Sequence, residues 1–193
     1  MTKDVFIFDL DGPILDVSEK YFQVYKGILS DRDFNCMSKT KFWKFKRNKT
    51  SNTDILSQTN ASSIVTYYEK CWLNRIESDD YLLFDRLQNG AVKVLEKLCS
   101  EYKLVLCTLR SNSIQLHKQL TNLKLSQYFS KILCASGNIN PRWKLKYNVI
   151  CENLEYSSSL EGYFIGDTET DINAGNELNL TTIAVANGIR SRK

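Results

Sequence analysis

Four apolar residues in a row, Val5 to Phe8, stand between Asp4 and Asp9 near the amino terminus. A run this short, with no polar alternation, predicts a strand buried on both faces of a sheet. Runs of the same kind recur in KLVLCT, KILCAS, GYFIG and TTIAVA. The stretches between them carry helical spacing instead. GAVKVLEKLCSEY places Ala91, Val94, Leu95 and Leu98 on one helical face, and SIQLHKQLTNL, KYNVICENL and TDINAGNEL read as further helices. Strands alternating with helices of ten or so residues call for a parallel sheet with helices on both faces. Five strands are predicted, at residues 4–8, 103–107, 131–135, 162–166 and 181–185.

Residues 15–85 read differently. Tyr21, Phe22, Tyr25, Ile28 and Leu29 recur at helical spacing behind Ser18, a candidate cap. A second helix is predicted around SKTKFWKFKRN, followed by the polar stretch NKTSNTD and a longer helix through SSIVTYYEKCWLNRI. No strand is predicted in this block. It reads as an all-helical insert between two parts of an α/β domain.

The candidate chemistry sits where strands end. Asp9 and Asp11 follow the first apolar run, and Gly12 and Pro13 then turn the chain out of the sheet. Two acids at the end of a buried strand repel and resist desolvation, so a hard cation with oxygen ligands is a natural partner. Taken alone, the pair reads equally well as caps of the next segment. A second cluster tips the balance: GYFIGDTETD puts Asp167 and Asp171 just past another buried run. In such sheets ligands bind at the carboxyl ends of strands, and Asp9, Thr108 and Asp167 all lie at such ends.

The stretch DLDGP at Asp9–Pro13 resembles the DxDG motif of the haloacid dehalogenase-like (HAD) superfamily of phosphohydrolases, and GDTETD resembles its GDxxxD motif. The nearest subgroup by overall look is the phosphoglycolate phosphatase-like one with a helical cap. The resemblance implies a Rossmann-like five-stranded parallel sheet in the order 5-4-1-2-3, with residues 1–14 and 86–193 as core and 15–85 as cap. It implies Asp9 as the nucleophile that takes the phosphoryl group. Asp11 becomes general acid and base, with a pKa raised by burial and a neighbouring carboxylate. Mg2+ falls to Asp9, Asp167, Asp171 and the backbone carbonyl of Asp11. Thr108 matches the family's second motif, a hydroxyl on the phosphoryl oxygens. Lys146 is preferred over Lys144 as the motif lysine, because it stands at a predicted helix start. Arg110 reaches the phosphate or substrate, or is a solvated charge. The N–H groups from Leu109 to Asn112 suit an anion. Asp16 contacts substrate or, more simply, caps a helix. Pro13 departs from the family's usual Thr and leaves the shape of the loop into the insert open. The second acid at position 11 argues against dehalogenation.

Composition changes little in this picture. The chain has 193 residues, 42% hydrophobic and 25% charged, which suits one globular domain with a small insert. A net charge of +4 suits an anionic substrate without demanding a nucleic acid. No apolar run is long enough to span a membrane, and no signal peptide is predicted. Six cysteines without metal-ligand spacing read as reduced thiols in a cytoplasmic protein, monomeric or homodimeric. The basic aromatic run KTKFWKFKRNK reads as a packed helix with a solvated charged face, or as a surface that steers an anionic substrate. The expected activity is a Mg2+-dependent phosphatase of a small phosphorylated metabolite. Its competitors are a phosphomutase and a non-catalytic binding protein on the same fold.

Overall fold

The computed structural model describes residues 5–154 and 161–191; residue 4, expected in the first strand, lies outside them. The chain begins with strand β1 (Val5–Phe8) and a two-residue strand β2 (Leu15–Asp16). Helices α1 (Ser18–Ser30), α2 (Lys39–Arg47), α3 (Asn52–Ser57), α4 (Val65–Arg75) and α5 (Asp79–Leu82) follow, closed by a second short strand, β3 (Arg86–Leu87). Then come α6 (Ala91–Cys99), β4 (Lys103–Thr108), α7 (Ser113–Asn122) and β5 (Lys131–Cys134). The described chain finishes with α8 (Trp143–Asn153), β6 (Gly162–Gly166), α9 (Glu169–Glu177) and β7 (Thr181–Ala184).

The five longer strands form one parallel sheet in the order β5-β4-β1-β6-β7. Counted among the five expected strands, this is the expected order read from the other edge. Strand β1 is central, with Phe8 level with Leu106 on one side and Ile165 on the other. Alternation along each strand feeds two cores. Val5 and Ile7 join Val105, Phe164, Ile150 and Ala174 on the α8–α9 face. Phe8 joins Leu104, Leu106, Leu95, Leu116 and Leu120 on the α6–α7 face. Both faces are covered, so the strands carry no polar alternation. Each such side chain stabilises the fold by about 1.5–3 kcal/mol over exposure.

The helical block has its own core of Tyr25, Ile28, Leu29, Phe42, Leu56 and Tyr68, with the Tyr25 and Phe42 rings stacked at 4.5 Å. Helix α2 carries the basic aromatic run. Phe42 is buried, Trp43 and Phe45 are half-buried, and Lys41 and Lys44 face water.

Four expectations need correction. β2 falls inside the stretch expected to lack strands and pairs antiparallel with β3 just past its end, a two-residue ribbon with too little pattern to read in sequence. Helix α3 falls partly in the polar stretch; Ser51 caps it and only Ile55 and Leu56 are buried. Val94 is 50% exposed rather than on the packed face of α6. Ser18 does not cap α1: it is the first helical residue, Val17 holds the cap position without a side-chain bond, and Asp16 Oδ1 accepts the Ser18 N–H at 2.9 Å.

Candidate active site

The carboxyl ends of β1, β4 and β6 lie side by side, so residues distant in sequence meet at one rim of the sheet. Asp9 follows β1 directly and its N–H donates to Ile165 of β6. Gly12 turns the chain away at φ +115°, a conformation that favours glycine, and a side chain there would collide with Asp167. A side chain at Gly166 would strike Asp171. Both glycines let backbone approach the acids.

Oxygens of Asp9, Asp167 and Asp171 lie within 4.8 Å of one another, and all three residues are buried. The Lys146 ammonium, 1% exposed, sits 2.7 Å from Asp9 Oδ1 and 2.6 Å from Asp171 Oδ1. Lys146 lies in the first turn of α8, which starts at Trp143, three residues earlier than expected. Lys144 instead places its ammonium 5.7 Å from the Trp143 ring centre. Asp171 is also a helix-cap acid: its Oδ2 accepts from Thr168 N–H and hydroxyl. The capping reading and the site reading therefore hold together.

Three carboxylates against one ammonium leave negative charge without a partner. Burial raises Asp9 well above the usual carboxylate range; Lys146 opposes this, while Asp171 and Asp167 add to it. Burial also pushes Asp167 up to about 7, although the Ile189 N–H donates to its Oδ2. Asp167 Oδ1 is buried without a hydrogen-bond partner among the described residues. An all-oxygen donor set with one bare carboxylate oxygen fits a hard divalent cation such as Mg2+.

Asp11 belongs to a second cluster. The Arg110 guanidinium grips it with two bonds, Nε to Oδ2 at 3.0 Å and Nη2 to Oδ1 at 2.6 Å. Arg110 also donates to Asp85 at 3.0 Å and to Gln119 at 2.8 Å. Lys20 of α1 lies 3.7 Å from Asp11 and 2.9 Å from Asp85. Lys20 is 1% exposed, and Asp85 and Arg110 are 4% exposed.

This cluster overturns two expectations. Burial works to raise the Asp11 pKa, but Arg110 and Lys20 outweigh it and hold the carboxyl well below its ordinary range. Arg110 is not solvated: its Nε, Nη1 and Nη2 donate to Asp11, Asp85 and Gln119 beside the cavity that Asp9 lines. Of the N–H groups expected to hold a phosphate, those of Ser111 and Asn112 are occupied. Ser111 and Asn112 donate to the Glu77 carboxylate of the helical block at 2.8–3.1 Å. Thr108 is buried at the end of β4 and lines the same cavity as Asp9, Asp11 and Lys146. That cavity, about 340 Å³, opens between the sheet rim and the helical block, whose Tyr21 and Trp72 form part of its wall.

Lys20, Asp85, Gln119 and Glu77 were not singled out from sequence. Each stands in a helix or loop with no local motif, and its partners lie between 9 and 65 positions away. The one available signal was an acid and a base flanking the helical insert, at positions 85 and 20.

The fold recurs in solved structures. A predicted phosphatase from Clostridium acetobutylicum matches with TM-score 0.75 and 22% identity over 99% of this chain and 88% of that one. A predicted phosphoglycolate phosphatase from Haemophilus somnus matches with TM-score 0.73 and 18% identity over 100% and 88%. A HAD hydrolase from Bacillus subtilis, solved with magnesium bound, matches with TM-score 0.66 and 18% identity over 96% and 89%. A search of curated proteins finds no match. The family model for haloacid dehalogenase-like hydrolase covers residues 6–185, which takes in both acid motifs, the lysine and the whole helical block. The chain belongs to the haloacid dehalogenase-like hydrolase family and is an enzyme of that hydrolase type.

Proposed function

We propose that the protein is a Mg2+-dependent phosphatase that hydrolyses a small phosphorylated metabolite through an aspartyl-phosphate on Asp9. The observation that carries this reading is the buried cluster of Asp9, Asp167 and Asp171, with Lys146 2.7 Å from Asp9. Magnesium bound in the B. subtilis relative supports the choice of cation. A cavity of about 340 Å³ suits a small ester. Six free cysteines suit a reducing, cytoplasmic compartment.

In the first half-reaction an Asp9 oxygen attacks phosphorus, and the bond from phosphorus to the ester oxygen breaks. Lys146 neutralises Asp9 as the phosphoryl group approaches, and the Thr108 hydroxyl donates to a phosphoryl oxygen. Asp9, Asp167, Asp171 and the Asp11 carbonyl would hold Mg2+, which would supply further neutralisation of the transferred group's charge. In the second half-reaction water attacks phosphorus, its proton passes to Asp11, and the bond from phosphorus to the Asp9 oxygen breaks to release phosphate. Arg110 and Lys20 deliver Asp11 already as the carboxylate, ready to act as base. Acting as acid on the leaving group, it must first take a proton against that pairing. The helical block at 15–85 acts as the cap, with Glu77 closing it onto Ser111 and Asn112 and excluding water.

The test is phosphate release from a panel of phosphomonoesters with Mg2+, for the wild type and for Asp9→Asn. The wild type is expected to turn over at least one ester, and Asp9→Asn to lose roughly 10⁴-fold. Equal activity in the two proteins, or no ester turned over by the wild type, would end this reading. Formation of an isomeric phosphate instead of free phosphate would point to a mutase.

A further inference from the structure

Lys46 lies in the last turn of α2 and turns inward, while Lys41 and Lys44 of the same helix face water. Its ammonium stands 4.9 Å from the Trp72 ring centre and 5.9 Å from that of Tyr21. Among the described residues no carboxylate comes within ion-pair distance of it. Burial, with nearby Arg190 adding to it, lowers its pKa to about 8. Aromatic faces attract a cation but compensate a desolvated ammonium less completely than a carboxylate does.

The surroundings are cationic as well. Arg190 Nη1 donates to the Lys46 carbonyl at 3.4 Å, and its Nε reaches Glu169 at 3.3 Å. Lys49 shares the same Glu169. Three cations and one carboxylate thus surround a cleft of about 440 Å³. The cleft shares Tyr21, Glu169, Ile189 and Arg190 with the wall of the Asp9 cavity, so the two are adjacent.

From this geometry we infer that the substrate carries a second anionic group, a carboxylate or another phosphate, which seats against Lys46 and Arg190 in this cleft. The inference deepens the phosphatase reading and rests on it for the position of the reacting phosphoryl group. It also divides the basic aromatic run of α2: Phe42 packs, Lys41 and Lys44 are solvated, and Lys46 recognises charge.

The experiment is calorimetric binding, in Mg2+ buffer, of three non-hydrolysable probes: methylphosphonate, phosphonoacetate and methylenebisphosphonate. The wild type is expected to bind at least one two-anion probe about 30-fold or more tightly than methylphosphonate. The better of the two identifies the second group as carboxylate or phosphate. Lys46→Met keeps the aliphatic stem over the rings and is expected to collapse that ratio, with Lys46→Arg restoring it. Arg190→Gln, which leaves α2 untouched, is expected to reduce the ratio in the same direction. An unchanged ratio in Lys46→Met and Arg190→Gln, or a wild type that binds all three probes alike, would overturn the inference. Because no probe is turned over, this result is separate from ester hydrolysis. Lys46-dependent discrimination in a protein that cleaves no ester would refute the phosphatase reading and leave the anion site standing.

Discussion

Two buried charge clusters flank the end of β1, and they are built on opposite principles. On the Asp11 side, two carboxylates (Asp11 and Asp85) meet an ammonium and a guanidinium (Lys20 and Arg110). On the Asp9 side, three carboxylates meet the single ammonium of Lys146. Each cluster has one buried oxygen without a partner among the described residues, Asp85 Oδ1 and Asp167 Oδ1. Asp85 is nonetheless neutralised, because its Oδ2 takes donors from Lys20, Arg110 and Gln119. Asp167 has a single backbone N–H. The balanced cluster needs nothing further and ties the helical block to the sheet. The unbalanced one carries an excess of carboxylates, and that deficit of cations is what marks it as a candidate site.

The sharpest way to break this contrast is to remove Lys146. Lys146→Met leaves three acids with no cation of their own and strips Asp9 of its partner. Phosphate release is expected to fall roughly 10³-fold or more, while Mg2+ binding survives. A variant with near wild-type turnover would show that the lysine is only structural.

Next in size is the balanced cluster. Asp85→Asn leaves Lys20 and Arg110 sharing Asp11 alone, and is expected to cost about 3 kcal/mol by denaturant titration. A loss under ~1 kcal/mol would show that the network is not cooperative. The same change lies outside the Asp9 cluster, so Mg2+ affinity should stay close to that of the wild type.

A smaller effect separates the clusters by sign. Folded Asp167 titrates near 7 against an ordinary 3.8, so the metal-free folded state binds a proton that the unfolded chain lacks between those values. Stability from this group is therefore fully present below about pH 4 and lost as pH rises through about 7. Asp11, held low, contributes in the opposite direction: its stability is present above pH 3.8 and is lost on acidification below it. In EDTA, melting temperature should rise modestly as pH falls from 7 to 5, and Mg2+ should flatten that slope. An equal slope with and without Mg2+ would separate Asp167 from the metal.

How much of this was legible in the sequence follows the same division. Asp9 and Asp167 stand directly after buried apolar runs and Asp171 four residues further on, and strand ends are easy to find in sequence. Lys146 is legible as a lysine in the first turn of a helix. The balanced cluster was not legible, because Lys20 sits in the first turn of a helix and Asp85 just before a two-residue strand. Nothing local distinguishes either residue from a solvated charge. Arg110 was located but its partner was not: a guanidinium beside a strand end reads as phosphate-binding until Asp11 is seen in its fork. The β2–β3 ribbon escaped for a similar reason, since two residues per strand carry no periodicity and pair across 70 positions.

Isothermal titration of Mg2+ into the metal-free protein, its Asp167→Asn variant and its Asp85→Asn variant tests the uneven charge of the two clusters most directly. One bound ion in the wild type and in Asp85→Asn, with binding lost or weakened at least ~10-fold in Asp167→Asn, is the predicted result. Equal Mg2+ affinity in the wild type and Asp167→Asn, or no binding in any of the three, would contradict it.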